Sequence, residues 1–125
     1  MPSQREVVEV KFRLPDNGRL EEHPVIVLSN SEINKEEGGF VAVMMTSEEK
    51  YKGDLYSFEV DDTMFTKSLG KPFSAVRLHL IGNFIDRDVK SNFHSGNQMR
   101  IEPFKRMLVQ INRIVFELKK FRIEP

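Results

Sequence analysis

Cysteine is absent from this chain of 125 residues, which excludes a disulfide framework and a thiolate metal cage. Its absence fits a reducing compartment. Charge of one sign is not in excess either: 19 Lys and Arg stand against 19 Asp and Glu, a formal net charge of zero. That argues against a basic protein that coats nucleic acid. It leaves room for a local basic groove, because the field at a site follows placement. Long hydrophobic runs are missing as well. None approaches the length that spans a bilayer, and no apolar stretch of signal-peptide type follows Met1-Pro2-Ser3-Gln4-Arg5-Glu6. The expectation is a soluble, cytoplasmic protein. There is no P-loop, dinucleotide fingerprint, nucleophile elbow or zinc-ligand pair. The histidines, His23, His79 and His94, are scattered without paired spacing. Neither a metal nor a cofactor is expected. The length suffices for one domain with one core, taken as residues 1–125.

What is present is a series of short β-like runs. Val8, Val10, Phe12 and Leu14 alternate with Glu9, Lys11 and Arg13, the pattern of a half-buried strand. Pro15-Asp16-Asn17-Gly18 stops it with a strong turn signal. Arg19 to Glu22 reads as a polar loop. The runs Pro24 to Leu28 and Phe40 to Met45 read as buried strands that end in Ser29-Asn30 and Thr46-Ser47. Ser31 to Gly39 reads as a charged connection, and Glu48 to Asp54 as a polar loop. Leu55 to Val60 alternates again as a fourth strand. Asp61 to Pro72 reads as loop or a short helical turn. Phe73 to Ile81 makes a fifth strand, with a turn at Gly82-Asn83 into a short sixth, Phe84-Ile85.

The period then changes. Phe104, Met107, Leu108, Ile111, Ile114, Val115 and Leu118 recur in steps of three and four, one apolar helical stripe. Pro103 suits a first helical turn, and Lys119, Lys120 and Arg122 suit the C-terminal end of the dipole. The predicted architecture is mainly β (α+β): a small, strongly curved antiparallel sheet, barrel-like, closed by one C-terminal amphipathic helix.

Residues two apart share a strand face, so Arg77 and His79 lie on one face of the fifth strand. An arginine fork can hold two phosphate oxygens, and a histidine exchanges protons near neutrality. This is suitable chemistry for a phosphodiester. The bland alternatives are a surface arginine paired with a carboxylate and a hydrogen-bonded or exposed histidine. His23 is either a complementary acid or base or a loop residue held extended by Pro24. Thr46 and Ser47 either bond a phosphate or base, or cap local backbone. Glu21 and Glu22 are either a supply of base or solvated charges. Tyr51, Tyr56 and Phe65 either stack on unpaired bases or pack. His94 reads as exposed in a polar loop.

The order of elements resembles the MazF/PemK toxin family, from Val7 to about Leu118. The resemblance is carried by His23-Pro24-Val25-Ile26-Val27-Leu28-Ser29-Asn30, where the family has Arg-Pro before a hydrophobic strand. It is carried also by Val43-Met44-Met45-Thr46-Ser47, by Val76-Arg77-Leu78-His79-Leu80 followed by Ile85-Asp86, and by the C-terminal helix. The departures are His23 for the arginine, His79 for an acidic residue, Leu80 for a glutamine, and Arg5-Glu6 for a Gly-Asp or Gly-Glu opening. The resemblance implies an SH3-like barrel, a homodimer, a cognate antitoxin peptide as partner, and metal-independent cleavage of single-stranded RNA to a 2′,3′-cyclic phosphate and a 5′-hydroxyl. Arg77 and His79 are then the catalytic candidates, with Thr46, Ser47 and His23 as substrate-binding candidates. The alternatives are a catalytically inactive binding module of the same fold for RNA or a peptide, and a scaffold for assembly.

Overall fold

The computed structural model describes residues 1–15, 17–90 and 96–117. The expectations for Asp16, His94, Leu118, Lys119, Lys120 and Arg122 fall outside the described residues. Five strands form one antiparallel sheet: β1 (Val7–Arg13), β2 (Leu20–Val27), β3 (Gly39–Thr46), β4 (Ser57–Val60) and β5 (Ser74–Ile85), in the order β1-β2-β3-β5-β4. The edge strands β1 and β4 share no ladder, so the barrel is not closed by strand pairing. A short segment bridges the gap instead. Gln98 pairs with Glu6 just before β1, and Met99 pairs with Phe65 just after β4.

Alternation in β1 sorts side chains to two buried layers. Val8, Val10 and Phe12 join Val25, Val27, Phe40, Ala42, Met44 and Phe84 on one side. On the other side Val7, Ile26, Val43, Met45, Val60, Val76 and Leu78, drawn from all five strands, pack with Phe65, Met99 and the helix residues Phe104, Met107 and Ile111. The sheet curls far enough for Phe12 of β1 to meet Phe84 of β5 at a ring separation of 5.7 Å.

The C-terminal helix, α2, spans Ile101–Ile111 and continues as a π-helical turn through Phe116. Pro103 lies in its first turn, where a missing N–H leaves no bond unmade. The apolar stripe is narrower than predicted: Phe104, Met107 and Ile111 are buried, whereas Leu108 faces solvent.

Three local expectations are corrected. Arg19 to Glu22 does not form a loop throughout, because β2 begins at Leu20 and pairs with β1 from Leu20–Arg13 onward. Pro24 is tolerated inside β2 because only Val25–Val27 also pair with β3, so the proline sits on a stretch with one free edge. Ser31–Glu37 is a helix, α1, not a plain connection. Asn30 caps its first turn by accepting from the Glu32 N–H at 2.7 Å, and Gly38 ends it with φ +70°. Seven residues with one buried side chain, Asn34, give no apolar stripe to read. Finally, Gly82-Asn83 makes no turn: β5 runs unbroken through it, and Phe84-Ile85 belong to the same strand. A Cβ at Gly82 would lie 3.0 Å from the Phe84 ring, so the glycine gives that ring room.

Candidate functional site

A groove of about 730 Å³ runs between the β1–β2 hairpin and the crossing of β3 with β5. Arg77, His79, Thr46, Ser47 and His23, which the sequence singles out, all line it. Pairing explains how they meet. Thr46 lies opposite Ala75 on β5, so the end of β3 runs alongside the start of the arginine strand. Between Val43 and Met45, β3 advances two residues while β5 advances from Ile81 back to Val76. This bulge shifts the alternation of β5. Leu80 therefore joins Arg77 and His79 along the groove.

Arg77 is buried, 7% exposed, and firmly held. Its Nη1 donates to Ser57 Oγ at 2.7 Å and pairs with Asp54 Oδ2 at 3.2 Å. The guanidinium carbon stands 4.1 Å from the centre of the Tyr51 ring, a cation–π contact. The Asp54 carboxyl is held below the usual carboxylate range, first by the hydrogen bond its Oδ1 accepts from the Tyr56 N–H and then by the Arg77 charge, against an opposing effect of desolvation. His79 is exposed and lies against Tyr56, ring centres 4.9 Å apart. Its pKa is lowered by burial of part of the ring and by the nearby Arg77, with Asp54 opposing. A neutral imidazole beside a fixed cation is a proton acceptor beside an anion seat.

The supporting residues divide. Thr46 Oγ1 accepts from the Glu48 N–H at 3.1 Å, which is local capping. Ser47 is exposed on the groove rim. His23 turns inward. Its Nε2 is buried without a hydrogen-bond partner among the described residues, and Glu21 Oε2 lies 3.7 Å away. Ser29 serves the fold rather than the groove, bonding Asn34 Oδ1 and accepting from the Val41 N–H at 2.8 Å. Glu22 pairs with Lys90 at 3.3 Å. Among the described residues no group of three or more His, Cys, Asp or Glu is placed to hold a metal ion.

Sequence reasoning missed Asp54, Ser57 and Lys50. Asp54 and Ser57 reach Arg77 only through the β4–β5 ladder, in which Ser57 lies directly opposite Arg77. Lys50 enters the groove from a 3₁₀ turn, Glu49–Tyr51, and pairs with Glu48 at 3.3 Å.

The sequence pattern of the PemK-like, MazF-like toxins of type II toxin–antitoxin systems matches residues 3–108, and the chain belongs to that family. Solved structures agree in fold. MazF (Form-I) from Deinococcus radiodurans superposes with a TM-score of 0.66 at 14% identity, covering 90% of this chain and 94% of that one. A chain of the MazE–MazF crystal structure (Form-III) from the same organism gives 0.63 at 17% identity, with the same coverage of 90% and 94%. An endoribonuclease in complex with its cognate antitoxin, from a Mycobacterial species, gives 0.62 at 13% identity over 91% of this chain and 94% of that one. No curated protein matches the sequence.

Proposed function

We propose that this chain, acting as one domain, is the toxin of a toxin–antitoxin pair and cleaves single-stranded RNA without a metal ion. The observation that carries the reading is the fixed Arg77 guanidinium beside a proton-accepting His79 in one groove. His79 takes the proton of a ribose 2′-hydroxyl. The 2′-oxygen attacks the adjacent phosphorus, and Arg77 stabilises the charge that builds on the phosphoryl oxygens. The P–O5′ bond breaks, and the leaving 5′-oxygen takes a proton from water in the open groove, with His23 as a substrate-binding residue on the groove wall. The products are a 2′,3′-cyclic phosphate and a 5′-hydroxyl. Ser47, exposed on the rim, contacts the phosphate or a flanking base, and the Thr46 hydroxyl, which accepts from the Glu48 N–H, keeps its own hydrogen to donate to the same group.

Family membership and the antitoxin-bound neighbour support an antitoxin peptide as partner; the proposed working form is a homodimer in the cytoplasm. Incubation with a varied single-stranded RNA pool in EDTA should yield fragments ending in cyclic phosphate. Intact RNA after long incubation with folded protein would sink the cleavage reading.

A second reading is a binding module that holds RNA or a peptide without cutting it. It is favoured by the burial of Arg77 and by its engagement with an internal carboxylate, Asp54. Cleavage that is lost in Arg77→Ala, with the fold retained, rejects it.

A further inference from the structure

Arg77 meets both of its polar partners through one nitrogen. Nη1 takes Ser57 and Asp54, whereas Nη2 and Nε make no hydrogen bond with the described residues. The Tyr51 ring lies over the guanidinium. Asp54 is itself fixed from several directions. Its Oδ1 accepts from the Tyr56 N–H at 2.8 Å, its backbone N–H donates to the Tyr51 carbonyl at 3.2 Å, and its carbonyl accepts from the Ser57 N–H at 3.1 Å. Gly53, at φ +75°, lets the chain turn immediately before it. The loop between Tyr51 and Ser57 thus forms a rigid socket around one corner of the guanidinium.

We propose that Asp54 is the positioning residue of this site: it anchors Arg77 by Nη1, leaves the other edge of the guanidinium for a phosphodiester of single-stranded RNA, and steadies the charge that His79 gains with the 2′-hydroxyl proton. The proposal rests on the endoribonuclease reading. A carboxylate in this place would repel a phosphate if it faced the groove unpaired. Bonded to Arg77 and to the Tyr56 N–H, it acts through its neighbours. Lys50, Lys71, Glu48, Glu21 and His23 also line the groove, but Arg77 and Asp54 are the charges that shift His79. Arg77 pushes protonation of His79 to lower pH, and Asp54 opposes it.

The test is Asp54→Asn, which keeps an acceptor for the Tyr56 N–H and removes the charge. It should lower kcat by about tenfold or more while KM changes by less than about threefold. The acid limb of the pH profile, set by neutral His79, should move to lower pH because the opposing carboxylate is gone. Ser57→Ala, which removes the other Nη1 partner, should show a smaller loss of kcat and no shift of that limb. A kcat for Asp54→Asn within about twofold of the parent, or an unmoved acid limb, overturns the proposal. Nitrogen NMR of the Arg77 side chain separates this from failure of the enzymatic reading. Restricted rotation in the parent that is released in Asp54→Asn supports the anchor even if no RNA is cut. Free rotation in the parent overturns it.

Discussion

Arg5 is the one non-glycine residue with positive φ among the described residues, at +74°. Left-handed backbone is strained for any side chain with a Cβ and free of strain for glycine. The position is held all the same. The Arg5 N–H donates to the Val27 carbonyl at 2.8 Å, and its Nη1 donates to the Met99 carbonyl at 2.9 Å. Arg5→Gly loses the side-chain bond but relieves the backbone, whereas Arg5→Ala loses the bond and keeps the strain. In chemical denaturation Arg5→Gly should be the more stable of the two by about 1 kcal/mol. Equal midpoints would mean that the strain is relieved elsewhere.

Two other residues link site and stability. His79 and Asp54 both have pKa values lowered in the folded state. Such a group contributes stability above its unfolded pKa, and that stability is lost as pH falls through the folded value. Acidification should therefore weaken the fold in two windows. One lies below the ordinary histidine value of 6.5, and the other below the ordinary aspartate value of 3.8. His79→Gln should remove the first window and leave the second, as measured by thermal melts across pH.

At the scale of elements, α1 is a case of a helix secured by polar contacts rather than an apolar face. Asn34 is fully buried; its Nδ2 donates to the Pro2 carbonyl at 3.1 Å and to the Ser29 carbonyl at 3.2 Å, and its Oδ1 accepts from Ser29 Oγ. Asn34→Ala leaves those buried groups without partners and should cost about 2 kcal/mol of stability. Loss of hydrogen-exchange protection confined to Ser31–Glu37 would instead show that α1 opens independently of the sheet. The helix was not legible as one: its interior carries no apolar stripe, and only the structure shows Asn30 and Gly38 acting as its ends. The unbroken β5 was not legible, because a Gly-Asn pair is a turn signal locally. Its pairing with β3, from Gly39–Ile85 through Ala42–Gly82, carries the strand across it.

Across the whole molecule, the layer built from all five strands and α2 depends on the segment that spans β1 and β4. Met99, fully buried, sits at its centre and pairs with Phe65. Met99→Ala removes packing from both the sheet gap and the helix layer. It should destabilise the fold by about 2–5 kcal/mol, read from urea unfolding. A value below 1 kcal/mol would show that the segment closes the gap without bearing on the core.

By itself the amino-acid sequence determined that Val8, Val10 and Phe12 share one buried face and that Phe104, Met107 and Ile111 share another. Alternation in Val8, Val10 and Phe12 and the three-and-four spacing of Phe104, Met107 and Ile111 are local rules, set by backbone geometry a few residues at a time. It also marked Arg77, His79, Thr46, Ser47 and His23, because strand ends and face-sharing are local too. Tertiary structure alone decided that these five share one groove and that Arg77 is seated on Asp54 and Ser57. Those partners stand about twenty residues away along the chain. Only the β4–β5 ladder brings them within bonding distance, and strand pairing is a non-local choice that no short stretch of sequence encodes.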